Sequence, residues 1–306
     1  MPYAIAGVTT VLAPVALFGP GSIKKKMGWD HNEVREDRVE TPAAPTGKAM
    51  PGAKSELCAL AHHGDARALS LRAESPRPTR THMGDLSNWT KRPTPGLEAL
   101  DGPRVRLEPL DWDRHGASLF AAVGGEANAA IWDWMPVGPF VTLRELGDFL
   151  GLMRTSDHWR TMVICAQTSG EALGAASYMR IREEHGSAEI GCVAFGPRLR
   201  RSTEATEALA LMAGHVFDLG YRRYEWKCNS HNVASKRAAE RIGFVYEGLF
   251  RNDMVTKGMS RDTAWYSIID SEWPVLKAVL DRWLAHDNFA NDGVQIGTLE
   301  SFRQGR

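Results

Sequence analysis

The sequence predicts a mixed α/β fold, because apolar segments with a period of two alternate with segments of helical period. The clearest unit is an apolar strand at 187–195, a Gly-Pro break at 196–197 and a helical pattern that starts at 203. A second strand and helix follow at 221–228 and 233–242. The chain has 306 residues, which is enough for a sizeable core.

The predicted strand at 187–195 places alternate residues on opposite faces. Ile190, Cys192 and Ala194 are expected on one face, and Gly191, Val193 and Phe195 on the other. The other predicted strands are 104–110, 162–167, 172–181 and 244–255. The other predicted helices are 113–123, 126–135, 142–152 and 272–285. At the start of the helix at 142–152, Thr142 and Glu145 have the spacing of a capping box.

Charge and cysteine content exclude several classes of protein. The chain has 37 Lys and Arg against 37 Asp and Glu, so nothing indicates a nucleic-acid partner. The apolar run at 4–17 is short for a membrane span, and its lysines follow it, unlike those of a secretory signal. The four cysteines lack ligand spacing, which predicts no metal site, no disulfide and a cytoplasmic location. Mitochondrial targeting by the N-terminal segment stays open.

The composition divides the chain into four parts. Residues 1–82 are expected to be a disordered extension or a mis-assigned start, because 30–82 are rich in Pro, Ala, Arg and Glu without periodicity. A lead-in covers 83–103, the main domain 104–273, and a C-terminal helix and tail 274–306. Residues 287–306 are polar and are expected to be frayed.

A basic turn lies between the strand at 187–195 and the next helix. Arg198, Arg200 and Arg201 precede the helix start at Ser202-Thr203. The free N–H groups and the positive end of the helix dipole favour an anion there, and arginine suits phosphate. The turn therefore fits a phosphorylated ligand, although a solvated surface turn has the same composition.

Four motifs in order resemble those of one family. They are Arg200-Arg-Ser-Thr203-Glu-Ala205, Asn232-Val-Ala-Ser235, Ala239-Glu-Arg-Ile-Gly-Phe244, and Lys257-Gly-x-x-Arg261-Asp-Thr263-x-Trp-Tyr-Ser267. Together they resemble the GNAT superfamily of N-acetyltransferases, in its RimJ/RimL-like branch, over roughly 104–273. A hairpin turn with a local ion pair would explain Arg261-Asp262-Thr263 equally well.

The resemblance implies a GNAT fold, with a mostly antiparallel sheet of six to seven strands that is splayed at its central strand. It also implies direct transfer of an acetyl group from acetyl-CoA to a primary amine, in a ternary complex and without a metal. The acceptor would be a small-molecule amine or a protein N-terminus, with no nucleic acid or membrane as partner, and a homodimer stays open. A catalytically weak CoA-binding or CoA-sensing module is the alternative, and a structural protein without CoA is a third.

The resemblance also assigns cofactor-binding residues. The pyrophosphate would lie on the backbone N–H groups of Arg200, Arg201, Ser202, Thr203, Glu204 and Ala205. Thr203 replaces the glycine of the family loop, which raises the question of strain, because β-branched residues resist positive φ. The acetyl carbonyl would be polarised near Val193, Ala194 and Phe195. Asn232 would contact the pantetheine, although asparagine is also a favoured helix N-cap.

The catalytic candidates are Glu189 as general base and Ser235 as general acid. A carboxylate in a partly apolar cleft can act as a base, although a solvent-facing strand residue and a water chain remain alternatives. Ser235 could be an ordinary first-turn serine, and Tyr246 is a weaker option for the acid. Trp134 and Tyr178 are the predicted substrate-binding residues; Trp134 could instead anchor the core.

Overall fold

The computed structural model describes residues 85–304, so the predicted extension at 1–82 lies outside the described residues. Residues 85–89 form a short turn in which the Trp89 N–H donates to the Leu86 carbonyl at 2.9 Å. The fold given below is that of 90–304. No boundary of the four predicted parts is tested by it.

The centre of the domain is a mixed sheet of eight strands in the order β1-β2-β3-β4-β5-β6-β8-β7. Neighbouring strands are antiparallel, except β5 and β6, which are parallel. The strands are β1 Leu100–Asp101, β2 Val105–Pro109, β3 Arg160–Ala166, β4 Ala172–Arg182, β5 Ser187–Phe195, β6 Arg223–Asn229, β7 Val245–Thr256 and β8 Met259–Ile269. The described residues thus contain more strands than the six to seven expected.

Helices cover both faces of this sheet. They are α1 Trp112–Val123, α2 Leu143–Ser156, α3 Thr203–Asp218, α4 Val233–Ile242, α5 Trp273–Leu284 and α6 Leu299–Gln304. The capping box at Thr142 and Glu145 is confirmed. The segment expected as a helix at 126–135 is a 3-10 helix, Glu126–Trp132.

Two hydrophobic cores lie on opposite faces of the sheet. One contains Tyr224, Trp226 and Ile268 together with the buried stripes of α3 and α5. The other contains Val163 and Ala175 together with α1 and α2. The sheet is therefore buried on both sides over β3 and β4, which explains the unbroken apolar runs in those strands.

Strand β5 separates from β6 halfway along its length. The two strands pair only over Ser187–Ile190 of β5 and Arg223–Trp226 of β6. Beyond that point β5 is paired only with β4 among the described strands, and the register with β4 shifts in this region. Cys192 has φ 46°, the conformation of a bulged residue. The result is a gap between the second half of β5 and the end of β6.

The bulge also changes which side chains share a face. Ile190 belongs to the core under α3, whereas Cys192 and Ala194 pack with the core under α1 and α2. The prediction that all three share one face is therefore wrong, because the alternation of a regular strand does not continue through an extra residue.

Two other expectations near the C-terminus are corrected. Arg261, Asp262 and Thr263 lie within β8, and the hairpin turn is at Lys257-Gly258. The tail at 287–306, expected to be frayed, includes helix α6 up to Gln304. Leu299 of this helix is buried in the core under α3, and Arg303 donates to the Glu240 carbonyl at 3.0 Å.

Candidate active site

The turn between β5 and α3 leaves part of its backbone free for a ligand. The Gly196 carbonyl accepts from the Arg200 N–H at 3.1 Å, and the Leu199 carbonyl accepts from the Ser202 N–H at 3.3 Å. Ser202 caps α3, with its Oγ accepting from the Ala205 N–H at 3.1 Å. Within the described part of the chain, the N–H groups of Arg201, Thr203 and Glu204 have no partner. Three of the six predicted N–H groups are therefore available to an anion.

The left-handed residue of this turn is Arg201, with φ 60°, and Thr203 has a negative φ as the first residue of α3. The left-handed conformation that the sequence analysis questioned at Thr203 is therefore adopted by Arg201, two residues earlier. Arg200 Nε donates to the Phe195 carbonyl at 2.9 Å, and Arg198 pairs with Glu171 at 2.8 Å. The Arg201 side chain is exposed and has no hydrogen-bond or ion-pair partner among the described residues, so its charge is available to a ligand.

Glu189 lies on β5 before the gap, on the face opposite the core under α3. The residue is 1% exposed. Oε2 lies 3.5 Å from Arg180 Nε and 3.5 Å from Lys227 Nζ. Burial raises the pKa of Glu189, the charges of Lys227 and Arg180 oppose this rise, and the charge of Glu225 adds to it. The carboxyl group can therefore exchange a proton nearer neutral pH than an exposed glutamate.

Gly191 leaves room beside this carboxyl group. A Cβ atom added at Gly191 would lie 2.3 Å from Met179 Sδ and 3.1 Å from Glu189 Oε1. The contact with Met179 is shorter than real Cβ contacts, so the end of this flexible side chain would have to move, and the Glu189 carboxylate would be crowded. Glycine avoids both where β5 turns away from β6.

Other charged residues share the face of Glu189. The buried Glu225 accepts from Arg182 at 2.6 Å and from Arg223 at 2.8 Å, and Arg223 also pairs with Glu247 at 2.5 Å. The sequence reasoning missed these residues. The available signal was the alternation in β6, where Arg223, Glu225 and Lys227 interleave with apolar residues.

Ser235 and Asn232 occupy the start of α4, close to the end of β6. Ser235 Oγ accepts from Trp226 Nε1 at 3.0 Å. Burial raises the pKa of Cys228, and a hydrogen bond from the Ser235 hydroxyl opposes this rise, so Cys228 and a ligand would compete for the hydroxyl hydrogen. Asn232 Oδ1 caps the helix by accepting from the Ser235 N–H at 3.0 Å. Its Nδ2 has no partner among the described residues. The N-cap role of Asn232 is present, and its amide can still donate to a ligand.

The two predicted substrate-binding residues have different surroundings. Trp134 is 45% exposed, and Trp132, the neighbouring tryptophan, is buried. Lys257, at the tip of the β7–β8 hairpin, donates to the Trp132 carbonyl at 2.8 Å, so this hairpin reaches the Trp134 segment. Tyr178 is 0% exposed and donates to the Met212 carbonyl at 3.1 Å. Tyr178 is thus a core residue beneath α3, and we remove it from the substrate-binding set.

Strand β8 carries further residues on the face of Glu189 that the sequence reasoning did not assign to a site. Trp265 has Arg180 over its ring at 4.7 Å and Lys227 at 5.4 Å. Both cations also contact Glu189, as given above. Trp265 therefore helps to hold the two charges beside the carboxylate.

Residues 85–304 contain neither a metal-ligand cluster nor a membrane-spanning helix. No cluster of three or more His, Cys, Asp or Glu side chains is arranged to hold a metal ion there. In the same residues, no helix has the length and apolar character that crossing a bilayer requires. Cys165, Cys192 and Cys228 are free thiols.

The family model that matches this chain is the acetyltransferase (GNAT) domain, over residues 104–245. A GCN5-related N-acetyltransferase from Brucella melitensis is 45% identical, with a TM-score of 0.68, and the match covers 71% of this chain and 99% of that one. A GNAT-family acetyltransferase from Chromobacterium violaceum is 40% identical, with a TM-score of 0.60 and coverage of 65% and 99%. No match was found among curated proteins.

These features define the class of the protein: it has an acetyltransferase fold, in which the sheet opens between two parallel strands. The chain belongs to the GNAT family of acetyltransferases.

Proposed function

We propose that the protein transfers an acetyl group from acetyl-CoA to a primary amine, by direct attack in a ternary complex. The observation that carries this proposal is the gap between β5 and β6, which has Glu189 at its closed end and the free N–H groups of α3 at its open end. One end supplies a base and the other an anion site, and acetyl transfer to an amine needs both.

The residues around the gap fit acetyl-CoA. The free N–H groups of Arg201, Thr203 and Glu204 lie at the positive end of the α3 dipole and would hold the pyrophosphate, with the side chains of Arg200 and Arg201 adding charge. The unpaired edge of β5 at Val193, Ala194 and Phe195 offers backbone donors to the acetyl carbonyl. The free Nδ2 of Asn232 would donate to the pantetheine. Ser202 and Ala205 support the turn, since their capping bond fixes the start of α3.

Glu189 would act as the general base. Acetyl-CoA supplies a thioester-activated acetyl group; the acceptor must lose a proton from its ammonium before its nitrogen can attack. Because Glu189 is almost fully buried, we propose that it takes this proton through a bound water. As the new N–C bond forms, the C–S bond breaks; the attacking nitrogen loses its second proton and the leaving sulfur gains one. We propose that the Ser235 hydroxyl relays this proton, giving its own to the sulfur and taking the one that the nitrogen loses.

The acceptor is a small-molecule amine or a protein N-terminus, and Trp134 would line its groove. We also propose membership of the RimJ/RimL-like branch, a cytoplasmic location, and the absence of metal, nucleic-acid and membrane partners. The support is the order of the four sequence motifs, the balanced charge and the reduced cysteines. A homodimer stays open.

A CoA-sensing module with little catalysis is the second candidate. Glu189 is 1% exposed, which restricts the access of an acceptor to the proposed base and favours binding over turnover. Thiol release from acetyl-CoA, measured with a panel of primary amines, separates the two functions. An enzyme releases one thiol per acetylated amine, and Ser235→Ala lowers kcat with little change in the Kd of acetyl-CoA. Tight binding without amine-dependent thiol release would support the sensing module instead.

A further inference from the structure

Arg261 is buried without a counter-ion. It lies on β8 two residues before Thr263, which pairs with Asn229 at the end of β6, and it is 6% exposed. Among residues 85–304, no side chain or backbone group makes a hydrogen bond or ion pair with its guanidinium, and its Nε is buried without a partner. Buried arginines are normally paired, because an isolated charge in the interior is costly. A missing anion is the simplest partner.

Two more donors continue the row of Arg261 along β8. Thr263 is 0% exposed and its Oγ1 is buried without a partner, and Nε1 of Trp265 is also buried without one. Residues two apart in a strand lie on the same face, about 7 Å apart. Three unpartnered donors on successive same-face positions form an incomplete polar site. We call these three residues the β8 donor row.

The β8 donor row shares its face with the proposed base. Ala264, Tyr266 and Ile268 of β8 pack in the core under α3, so the alternating residues between them point to the other face. Glu189 points to that face too, and Trp265 is joined to it through Arg180 and Lys227. Burial lowers the pKa of Arg261, and the charges of Cys228, Asp253 and Glu189 oppose this shift only in part.

We propose that the β8 donor row binds a carboxylate carried by the acceptor, so that the substrate class is an amine that also bears a carboxylate group. This inference rests on the proposed acetyl transfer. Arginine binds carboxylates in a bidentate geometry, and the Thr263 hydroxyl and Trp265 indole add single donors. A monoanion suits the site better than a phosphate, because Glu189 and Glu225 lie on the same face and repel a dianion. A polyamine would leave the row unpaired.

The test compares matched acceptors with the full chain. Leucine is paired with 3-methylbutylamine, and phenylalanine with phenethylamine, so that each pair differs only in the carboxylate. A peptide amide that starts with Asp is paired with one that starts with Asn, which separates a free amino acid from an acidic peptide N-terminus. We expect kcat/KM of the wild type to favour the carboxylate member of at least one pair by about 10- to 100-fold.

Arg261→Met should remove this preference by raising KM for the carboxylate member of the pair. The kcat/KM for the member that lacks a carboxylate and the Kd of acetyl-CoA should not change. Arg251→Met is the matched control, since Arg251 is exposed on the same hairpin. Thr263→Val is the second variant. Because it replaces an unpartnered buried hydroxyl by a methyl group of similar size, it should fold without loss of stability and still lower the preference.

Equal kcat/KM within every pair for the wild type would overturn the inference and leave the proposed function standing. The inference also fails if Arg261→Met slows both members equally or weakens acetyl-CoA binding, since Arg261 would then serve the fold or the cofactor. Rejection of all acceptors by a wild type that binds acetyl-CoA would overturn the inference together with the transferase proposal.

Discussion

The ammonium nitrogen of Lys227 lies 3.5 Å from Oε2 of Glu189, across the short parallel junction of β5 and β6. Lys227 follows Trp226, the last β6 residue that is paired with β5. Burial raises the pKa of Glu189, and the charge of Lys227 lowers it. The protonation of the proposed base therefore depends on a cation at the point where the sheet opens.

Lys227→Met is expected to move the pH profile of acetyl transfer. Loss of the positive charge raises the pKa of Glu189 further, so the carboxylate needed as base is lost at a higher pH. The acidic limb of the kcat/KM profile should therefore shift upward, and kcat/KM should fall most at low pH. Lys277→Met is the control, because Lys277 pairs with Asp281 on the exposed side of α5. A downward shift for Lys227→Met would contradict the account.

Glu189→Gln is expected to lower kcat by about 100-fold or more, with the Kd of acetyl-CoA unchanged, because loss of a general base typically costs that much. The matched variant is Glu225→Gln, which alters the residue paired with Glu189 in register. Glu225 accepts from Arg182 and Arg223, so its loss should appear mainly as a lower Tm. Steady-state kinetics and thermal unfolding of both variants check this. Equal kcat for Glu189→Gln and wild type would remove Glu189 as the base.

Glycine substitutions in the turn before α3 are expected to act in opposite directions. Arg201→Gly should stabilise the fold by up to about 1 kcal/mol, because φ 60° costs glycine nothing. Thr203→Gly should destabilise it by about 0.3 kcal/mol, because Thr203 is helical and glycine is a somewhat poorer helix former than threonine. Thermal unfolding without ligand measures both. The opposite order would mean that the left-handed residue is Thr203.

Tyr178→Phe is expected to lower the free energy of unfolding by about 1 kcal/mol through loss of the bond to the Met212 carbonyl. KM for the acceptor amine should not change, because the ring lies in the core beneath α3. Denaturant unfolding and steady-state kinetics test the two statements separately. A raised KM with unchanged stability would restore Tyr178 to the substrate site.

Local patterns were enough to predict the elements that surround the site. The helix at 233–242 was predicted with the bounds that the structure gives, because Asn232 and Gly243 are strong end signals. The capping box at Thr142 followed from the spacing of two side chains. Such features depend on neighbours in sequence, so the sequence alone could predict them.

The parts that were missed depend on contacts between distant segments. The bulge at Cys192 has no signature in the sequence, since a cysteine at positive φ is tolerated only because the surrounding strands hold it there. The exposure of Tyr178 could not be decided from alternation in β4, because α3 covers the face that Tyr178 occupies. The sequence left Arg261 open between a family motif and a hairpin turn, because nothing local indicates that β8 continues past the end of β6.

The central claim is that the gap and the turn before α3 bind acetyl-CoA. Titration of the full chain with acetyl-CoA, measured by calorimetry and by thermal unfolding, tests this claim most directly. A ligand at about 100 times its Kd stabilises the fold by about 2.7 kcal/mol, so even weak binding should raise Tm at millimolar acetyl-CoA. We predict a clear rise for the wild type and for Arg144→Glu, an exposed control on α2, and a much smaller rise for Arg200→Glu in the anion-binding turn. No rise for the wild type at millimolar acetyl-CoA would contradict the assignment of the gap and the α3 turn as the CoA site.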